Sequence, residues 1–174
     1  MRLLIMICLG VFPAMVAQAS ARDDVMALIA GHHPVAPAVL KSLDDEQLKA
    51  LRDVARDTSV RVFTRGRAIA LLGVRPDATT EALWREARVW PELDLQIQAA
   101  YAQAMARSRD LERLKAFLLT LMADAEPRIR EVGIQCIFAM RIPEAKSMAK
   151  VHLATEKDVV NRAILQRRLD EMGL

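Results

Sequence analysis

Residues 111–140 read LERLKAFLLTLMADAEPRIREVGIQCIFAM, and this stretch decides the fold. Apolar residues recur every three or four positions from Leu111 to Met122 with charged residues between them, which predicts a helix with one apolar face. After a short break, Pro127 stands where a second helix can begin, because a proline in the first turn loses no hydrogen bond. The second helix, ending at Met140, is apolar most of the way round. It is therefore predicted to lie centrally, with neighbours on several sides.

The same alternation of helices and short breaks continues in both directions along the chain. Hydrophobic residues make up 53% of the 174 residues, but only 4% are aromatic and six are glycine, so good helix formers dominate. The fold class predicted from this composition is all-α. The pattern predicts helices over residues 23–29, 35–40, 60–72, 80–88, 94–107, 111–122, 127–140, 143–154 and 156–172, and one more after Asp44. Thr155 and Asp158 are interpreted as a capping pair for the last helix.

The first residues have the pattern of a secretory signal peptide. Arg2 supplies a positive charge, residues 3–16 are apolar, and Ala17-Gln18-Ala19 matches the small-x-small motif of a signal peptidase site. Cleavage is expected after Ala19 or after Ala21. The alternative, an uncleaved anchor, has an apolar core shorter than the roughly 20 residues that a spanning helix needs. We expect a periplasmic or secreted protein with no stable membrane span after cleavage.

Four residue pairs recur at intervals close to the length of one helix hairpin. They are Val60-Arg61, Leu95-Gln96, Ile129-Arg130 and Val160-Asn161, spaced 35, 34 and 31 residues apart. Thr64-Arg65, one turn later, is an alternative for the first pair because it fits the helix ending at residues 68–73 better. A period of this size predicts helix pairs that bury their apolar faces by stacking.

These pairs, with the acidic turns at residues 57–59 and 124–126 and the small or apolar helix endings at residues 68–73 and 137–140, resemble the HEAT-repeat family. The second and fourth pairs depart from the family pattern, because Gln96 and Asn161 stand where arginine is expected. The resemblance implies a right-handed α-solenoid of stacked antiparallel helix pairs, with about four repeats plus N-terminal helices. The expected organisation is a signal peptide at 1–19, capping helices at 20–56 and a repeat region at 57–174 that is continuous with 20–56.

Common catalytic and metal-binding signatures do not occur in the sequence, so neither an enzyme nor a cofactor is expected. Cys136 lies among aliphatic residues and is interpreted as a buried structural thiol. The adjacent residues His32 and His33 are interpreted as a polar turn, and His152 as a solvated helix residue. Basic and acidic residues are interleaved with a net charge of +3, which argues against a nucleic-acid binder.

The leading hypothesis is an exported scaffold or adaptor that binds a protein or peptide partner through the surface formed by the second helices of its repeats. The candidate partner-binding residues are Trp84, Arg85, Arg88, Glu112, Lys115, Lys146 and Lys150. Tryptophan with arginine is typical of binding hot spots, although core packing of Trp84 is the competing interpretation. A second hypothesis is binding of an anionic polymer or membrane surface through Arg128, Arg130, Arg162, Arg167 and Arg168. A third is an enzyme with an unrecognised site.

Overall fold

The structure, a computed structural model, describes residues 12–31 and 35–173, and within these ranges the chain forms helices and no strand. The all-α prediction is confirmed. The helices are α1 (Phe12–Ala30), α2 (Pro37–Ser42), α3 (Asp45–Arg56), α4 (Val62–Leu71), α5 (Ala78–Ala87), α6 (Leu93–Arg107), α7 (Leu111–Met122), α8 (Pro127–Ala139), α9 (Ala145–Leu153) and α10 (Val159–Glu171), with a 3-10 turn over Leu72–Val74 after α4. No helix in the described part of the chain has both the length and the apolar character needed to cross a bilayer.

Local capping explains where most helices begin. Asp44 forms a capping box with Gln47 at the start of α3, and Asp110 accepts a hydrogen bond from the backbone N–H of Arg113 at the start of α7. The predicted pairing of Thr155 with Asp158 is wrong. Asp158 alone caps α10, which begins at Val159. The Thr155 hydroxyl instead donates to the carbonyl of His152, at the end of α9.

Alternate helices of the chain, α4, α6, α8 and α10, here called the first helices, contact one another in chain order. Helix α4 contacts α6, α6 contacts α8, and α8 contacts α10, while α3 lies against both α1 and α4. Helix α8 also contacts α7 and α9, which confirms the prediction that it is central. Its buried residues accordingly lie on several sides of the helix.

Two groups of buried apolar residues meet at α6. The N-terminal core extends from α1 to α6, and the C-terminal core extends from α6 to α10. Ala99 and Ala102 belong to the first, and Ala100 and Ala104 to the second. Alanine side chains at these positions let neighbouring helices approach α6 on opposite sides.

A polar side chain near the start of each first helix donates a hydrogen bond to a backbone carbonyl. Arg65 donates to Ala55, Gln96 to Trp90, Arg130 to Asp124, and Asn161 to Pro127, at 2.7–3.0 Å. Arg65 makes this contact from within α4, whereas Arg61 is exposed at the N-cap of the same helix. The contact therefore favours the alternative pair Thr64-Arg65 over Val60-Arg61 as the counterpart of Ile129-Arg130.

Ion pairs join residues that are 25–36 positions apart in the sequence. Arg52 pairs with Asp77, 25 residues away, and Arg88 pairs with Asp124, 36 residues away, with other pairs between these limits. Most are partly exposed, and an exposed pair contributes only about 0–1 kcal/mol. These ion pairs hold helices that are distant in the sequence in a fixed position relative to each other.

Candidate functional site

Trp84 does not lie on the predicted binding surface. Its side chain is fully buried in the N-terminal core, and its indole N–H donates to the carbonyl of Ile69 at 3.3 Å. Helix α5 turns one stripe towards that core, and Trp84 shares it with Thr80, Leu83 and Ala87. The prediction that Trp84 contacts a partner is therefore wrong, and the competing interpretation of core packing is right.

The other candidate residues lie on the second helices α5, α7 and α9 or at their ends, but they do not form one cluster. Arg85 is exposed, and Arg88 pairs with Asp124 at 2.8 Å. Among the described residues, one recorded contact joins two of these candidates. It is the ion pair of Glu112 with Lys115, at 3.3 Å. Lys146 and Lys150 lie on α9.

An open groove of about 690 Å³ lies between the ends of α7 and α9. Leu119 and Val151 line it with 53% and 74% of their surface exposed. This space is here named the α7–α9 groove. Its lining residues are Leu119, Met122, Ala123, Asp124, Arg130, Ser147, Met148, Val151, His152, Thr155, Glu156 and Lys157. It adjoins the predicted surface, because Asp124 is the partner of Arg88.

Two residues of α9, Ala145 and Ala149, are buried, and Met148 and Leu153 pack partly buried against the C-terminal core. At its N-terminal end α9 is tied to α7, since Lys115 on α7 pairs with Glu144 at 2.9 Å. The two helices do not pack closely along their lengths, and the space between them opens towards their C-terminal ends.

A buried carboxylate forms the polar floor of the groove. Glu156 has no exposed side-chain surface and accepts hydrogen bonds from Arg130 at 2.9 and 2.7 Å and from the backbone N–H of Asp158 at 2.8 Å. His152 Nε2 lies 2.9 Å from the same carboxylate. Hydrogen bonding to Arg130 outweighs the opposing effect of burial and lowers the pKa of Glu156 to about 2. Glu156 is therefore ionised, and its oxygens are already occupied.

Comparison of the chain with known protein families, curated proteins and solved structures gives no match.

His152 is not the solvated residue that was predicted. Only 14% of its side chain is exposed, and its ring is held against Glu156. The nearby hydroxyls of Ser147 and Thr155 donate to the backbone carbonyls of Glu144 and His152. The bonds of Glu156 to Arg130, His152 and the backbone N–H of Asp158 hold the turn before α10 against α8.

Cys136 fits its predicted structural role. Its side chain is in the C-terminal core, and burial raises the pKa of the thiol to about 11. A thiol with so high a pKa supplies almost no thiolate near neutral pH. Within residues 12–31 and 35–173, no group of three or more histidine, cysteine or acidic side chains could hold a metal ion. His32 and His33 lie outside the described residues.

The arginines of the second hypothesis are engaged within the protein. Arg128 pairs with Asp94, Arg130 with Glu156, and Arg162 donates to the carbonyl of Glu156. Arg167 and Arg168 both lie within 4.0 Å of Glu171. The geometry therefore does not favour a free basic patch at these five positions.

Proposed function

We propose that the protein is an exported scaffold or adaptor of the HEAT-like α-solenoid type, and that it binds a peptide segment of a protein partner in the α7–α9 groove. The observation that carries this proposal is the pair of exposed aliphatic side chains, Leu119 and Val151, on opposite walls of one open groove. Burying a leucine or valine side chain contributes about 1.5–3 kcal/mol, so two such contacts are a substantial anchor for a peptide.

Three features support the solenoid part of the proposal. The first helices α4, α6, α8 and α10 contact one another in chain order. The hydrogen bond from a polar side chain to a backbone carbonyl recurs once in each unit. Ion pairs link residues about one period apart, as nearest-neighbour stacking requires.

The lining of the groove supports binding more than catalysis. Its charged floor is already neutralised, with Arg130 and Glu156 holding each other. Met122 and Met148 add flexible side chains to the walls, and methionine adapts readily to differently shaped apolar partners. The surface is thus suited to hold an apolar side chain next to polar groups.

A peptide selection with matched variants tests this function. Peptides selected from a random library against the full chain would be labelled, and their affinities measured by fluorescence anisotropy. Leu119→Gln and Val151→Gln should each weaken binding about tenfold or more, because each removes an apolar contact of 1–2 kcal/mol without adding charge. Val159→Gln is the control, since Val159 is 75% exposed and lies outside the groove. Equal affinities for all three variants would refute the proposed groove.

Export is part of the same proposal, and the buried face of α1 bears on where cleavage occurs. Ala21, Val25 and Ile29 lie in the N-terminal core, and Arg22 pairs with Asp57. Cleavage after Ala19 keeps all of these residues, whereas cleavage after Ala21 removes one of them. We therefore expect N-terminal sequencing of the secreted chain to begin at Ser20. An intact N-terminus in a cytosolic fraction would contradict the export proposal.

A further inference from the structure

A second pocket, of about 540 Å³, lies between the C-terminal halves of α4 and α6 and is here named the α4–α6 pocket. It shares no lining residue with the α7–α9 groove. Ala70, Gly73 and Ala102 line it and bring no side chain larger than a methyl group into the space between the two helices. Val74 and Met105 also line it, with 40% and 57% of their surface exposed. Mostly apolar walls around a volume of roughly 300–1,000 Å³ are typical of small-molecule sites.

The charged side chains that line the α4–α6 pocket are both basic. Lys41 and Arg109 line it and are exposed, and no acidic residue occurs among its described lining. Neither cation forms an ion pair within residues 12–31 and 35–173. Asp110, next to Arg109 in the sequence, instead caps α7 and pairs with Arg113. The charge that the lining offers to a ligand is therefore positive.

Both cations lie where α4 and α6 end. Arg109 comes two residues after α6, and Lys41 is close to the end of α4 because Arg75 donates to the carbonyl of Leu43. Arg75 also pairs with Asp45, so this acid already has a partner. The carboxyl end of a helix carries about half a negative charge, so two whole positive charges beside two helix ends leave this end of the pocket positive.

Away from these cations, the pocket adjoins a smaller space between the same two helices. Ala70 lines both spaces, and Phe63 lines the smaller one near the start of α4. The charged side chains of the smaller space have partners, since Asp94 pairs with Arg128 at 3.2 Å and Arg67 lies 5.9 Å from the ring of Phe63. The unpaired positive charge of the combined lining is therefore confined to one end.

We infer that the space between α4 and α6 binds an aliphatic acid, that is, an unbranched apolar chain with a carboxylate at one end. The carboxylate accepts charge-assisted hydrogen bonds from Lys41 and Arg109, and the chain runs past Met105 towards Phe63. Helix geometry makes the distance from Phe63 to Val74 about 17 Å, which is comparable to an extended chain of about a dozen carbons. A ligand with one terminal charge matches this lining better than a peptide, which carries polar amides along its whole length. The site is separate from the proposed peptide groove.

Three fluorescent probes test the inference: 11-(dansylamino)undecanoate, its primary amide, and an amine of the same chain length. Dansyl emission during titration with the full chain gives the affinities. The carboxylate should bind most tightly, the amide several-fold more weakly and the amine most weakly. Lys41→Gln with Arg109→Gln should remove the advantage of the carboxylate and leave the affinity of the amide unchanged. Met105→Gln should weaken all three probes several-fold, because it removes an apolar contact without adding charge.

Each variant has a matched control outside the pocket. Lys49→Gln removes an exposed cation of α3 that forms no ion pair among the described residues. Leu119→Gln removes a half-exposed apolar side chain from the α7–α9 groove. Both controls should leave the affinities of the three probes unchanged.

Several results would overturn the inference. Equal affinities for the carboxylate and the amide would do so, as would a preference for the carboxylate that persists in the Lys41 and Arg109 double variant. If Leu119→Gln weakens the probes and Met105→Gln does not, the probes bind in the α7–α9 groove, and the proposed function stands while this inference falls. Displacement of the probe by a leucine-terminated peptide at lower concentration than by decanoate would show that the pocket takes a peptide carboxylate instead.

Discussion

Helices α5 and α9 each follow one of the first helices along the chain, but they fill space very differently. Helix α5 buries Thr80, Leu83, Trp84 and Ala87, whereas α9 buries two alanines. The indole occupies the interior of the N-terminal core, and no residue of comparable size does so from α9. Helix α5 thus brings a large aromatic side chain into its core, whereas α9 contributes alanines and the partly buried Met148 and Leu153.

The arginine contacts of the two halves differ in the same way. Arg65 is 3% exposed, and it lies 5.0 Å from the ring of Trp90 and pairs with Glu92, which keeps access to water. Arg130 makes equivalent bonds, but its partner Glu156 is completely buried at the floor of the groove. The N-terminal contact is covered by an aromatic ring, and the C-terminal one faces the groove.

The largest expected effect is the loss of the indole. Trp84→Ala should lower the free energy of unfolding by about 3–5 kcal/mol, because it leaves a cavity in a closed core. Val151→Ala should change it by less than about 0.5 kcal/mol, because that side chain is largely exposed. Urea denaturation followed by circular dichroism measures both. Similar losses for the two variants would break the comparison between α5 and α9.

Removing the arginine contacts should have the next largest effect on the free energy of unfolding. Arg130→Ala should destabilise the protein by about 3–5 kcal/mol, because it leaves the buried Glu156 carboxylate without its counter-charge. Arg65→Ala should cost about 2 kcal/mol, because Glu92 can be hydrated while the carbonyl of Ala55 loses a donor. Chemical denaturation of both variants gives the order. A larger loss of unfolding free energy for Arg65→Ala would contradict this order. It would show that the contacts of Arg65 with Trp90 and Glu92 contribute more to stability than the contact of Arg130 with Glu156.

Acid should weaken the C-terminal contact through the same carboxylate. Since the folded-state pKa of Glu156 is lowered to about 2, its contribution is complete above about pH 4.5 and is lost as pH falls towards 2. The full contribution is on the order of 3 kcal/mol. Glu156→Gln cannot titrate, so the stability difference between wild type and variant should shrink over this interval. A pH-independent difference would contradict the assignment.

A smaller effect is expected at two glycines inside first helices. A Cβ at Gly133 would lie 2.8 Å from Cγ of Met122 and 3.1 Å from its backbone nitrogen, so Gly133→Ala should destabilise α8 against α7 by about 1–3 kcal/mol. At Gly66 the nearest atom is Cγ of Gln98 at 3.2 Å, on a flexible side chain. The gain in helix propensity, about 1 kcal/mol, should roughly balance that contact. The thermal unfolding temperatures of the Gly133→Ala and Gly66→Ala variants test whether α8 is packed more closely than α4.

Local chemistry made the helices predictable from sequence. Apolar spacing and residues such as Asp44 and Asp110 act within one turn, so they need no knowledge of the tertiary fold. The sequence also predicts a repeat period, but it leaves two registers open for the first pair. Arg61 and Arg65 both follow the pattern, and only the distance to the carbonyl of Ala55 distinguishes them.

The site was harder to predict because it depends on distances between helices. Apolar spacing in α5 cannot show that Trp84 faces inward, since the neighbouring helices determine which stripe is covered. The groove was missed because neither Leu119 nor Val151 is unusual within its own helix. One signal in the sequence could have pointed to it, namely the small residues Ala145 and Ala149 on α9, with lysines beside them and no acid.

The buried thiol of Cys136 has an experimental consequence. Because the sulfur lies in the C-terminal core with a pKa of about 11, a thiol reagent reaches it only when α8 separates from its neighbours. In a chain carrying Cys8→Ser, Cys136 is the remaining cysteine, so its labelling rate would report how often α8 separates from its neighbours. A ligand that binds between α7 and α9 and holds them together would lower this labelling rate. Binding in the groove could therefore be measured without attaching a dye near the groove.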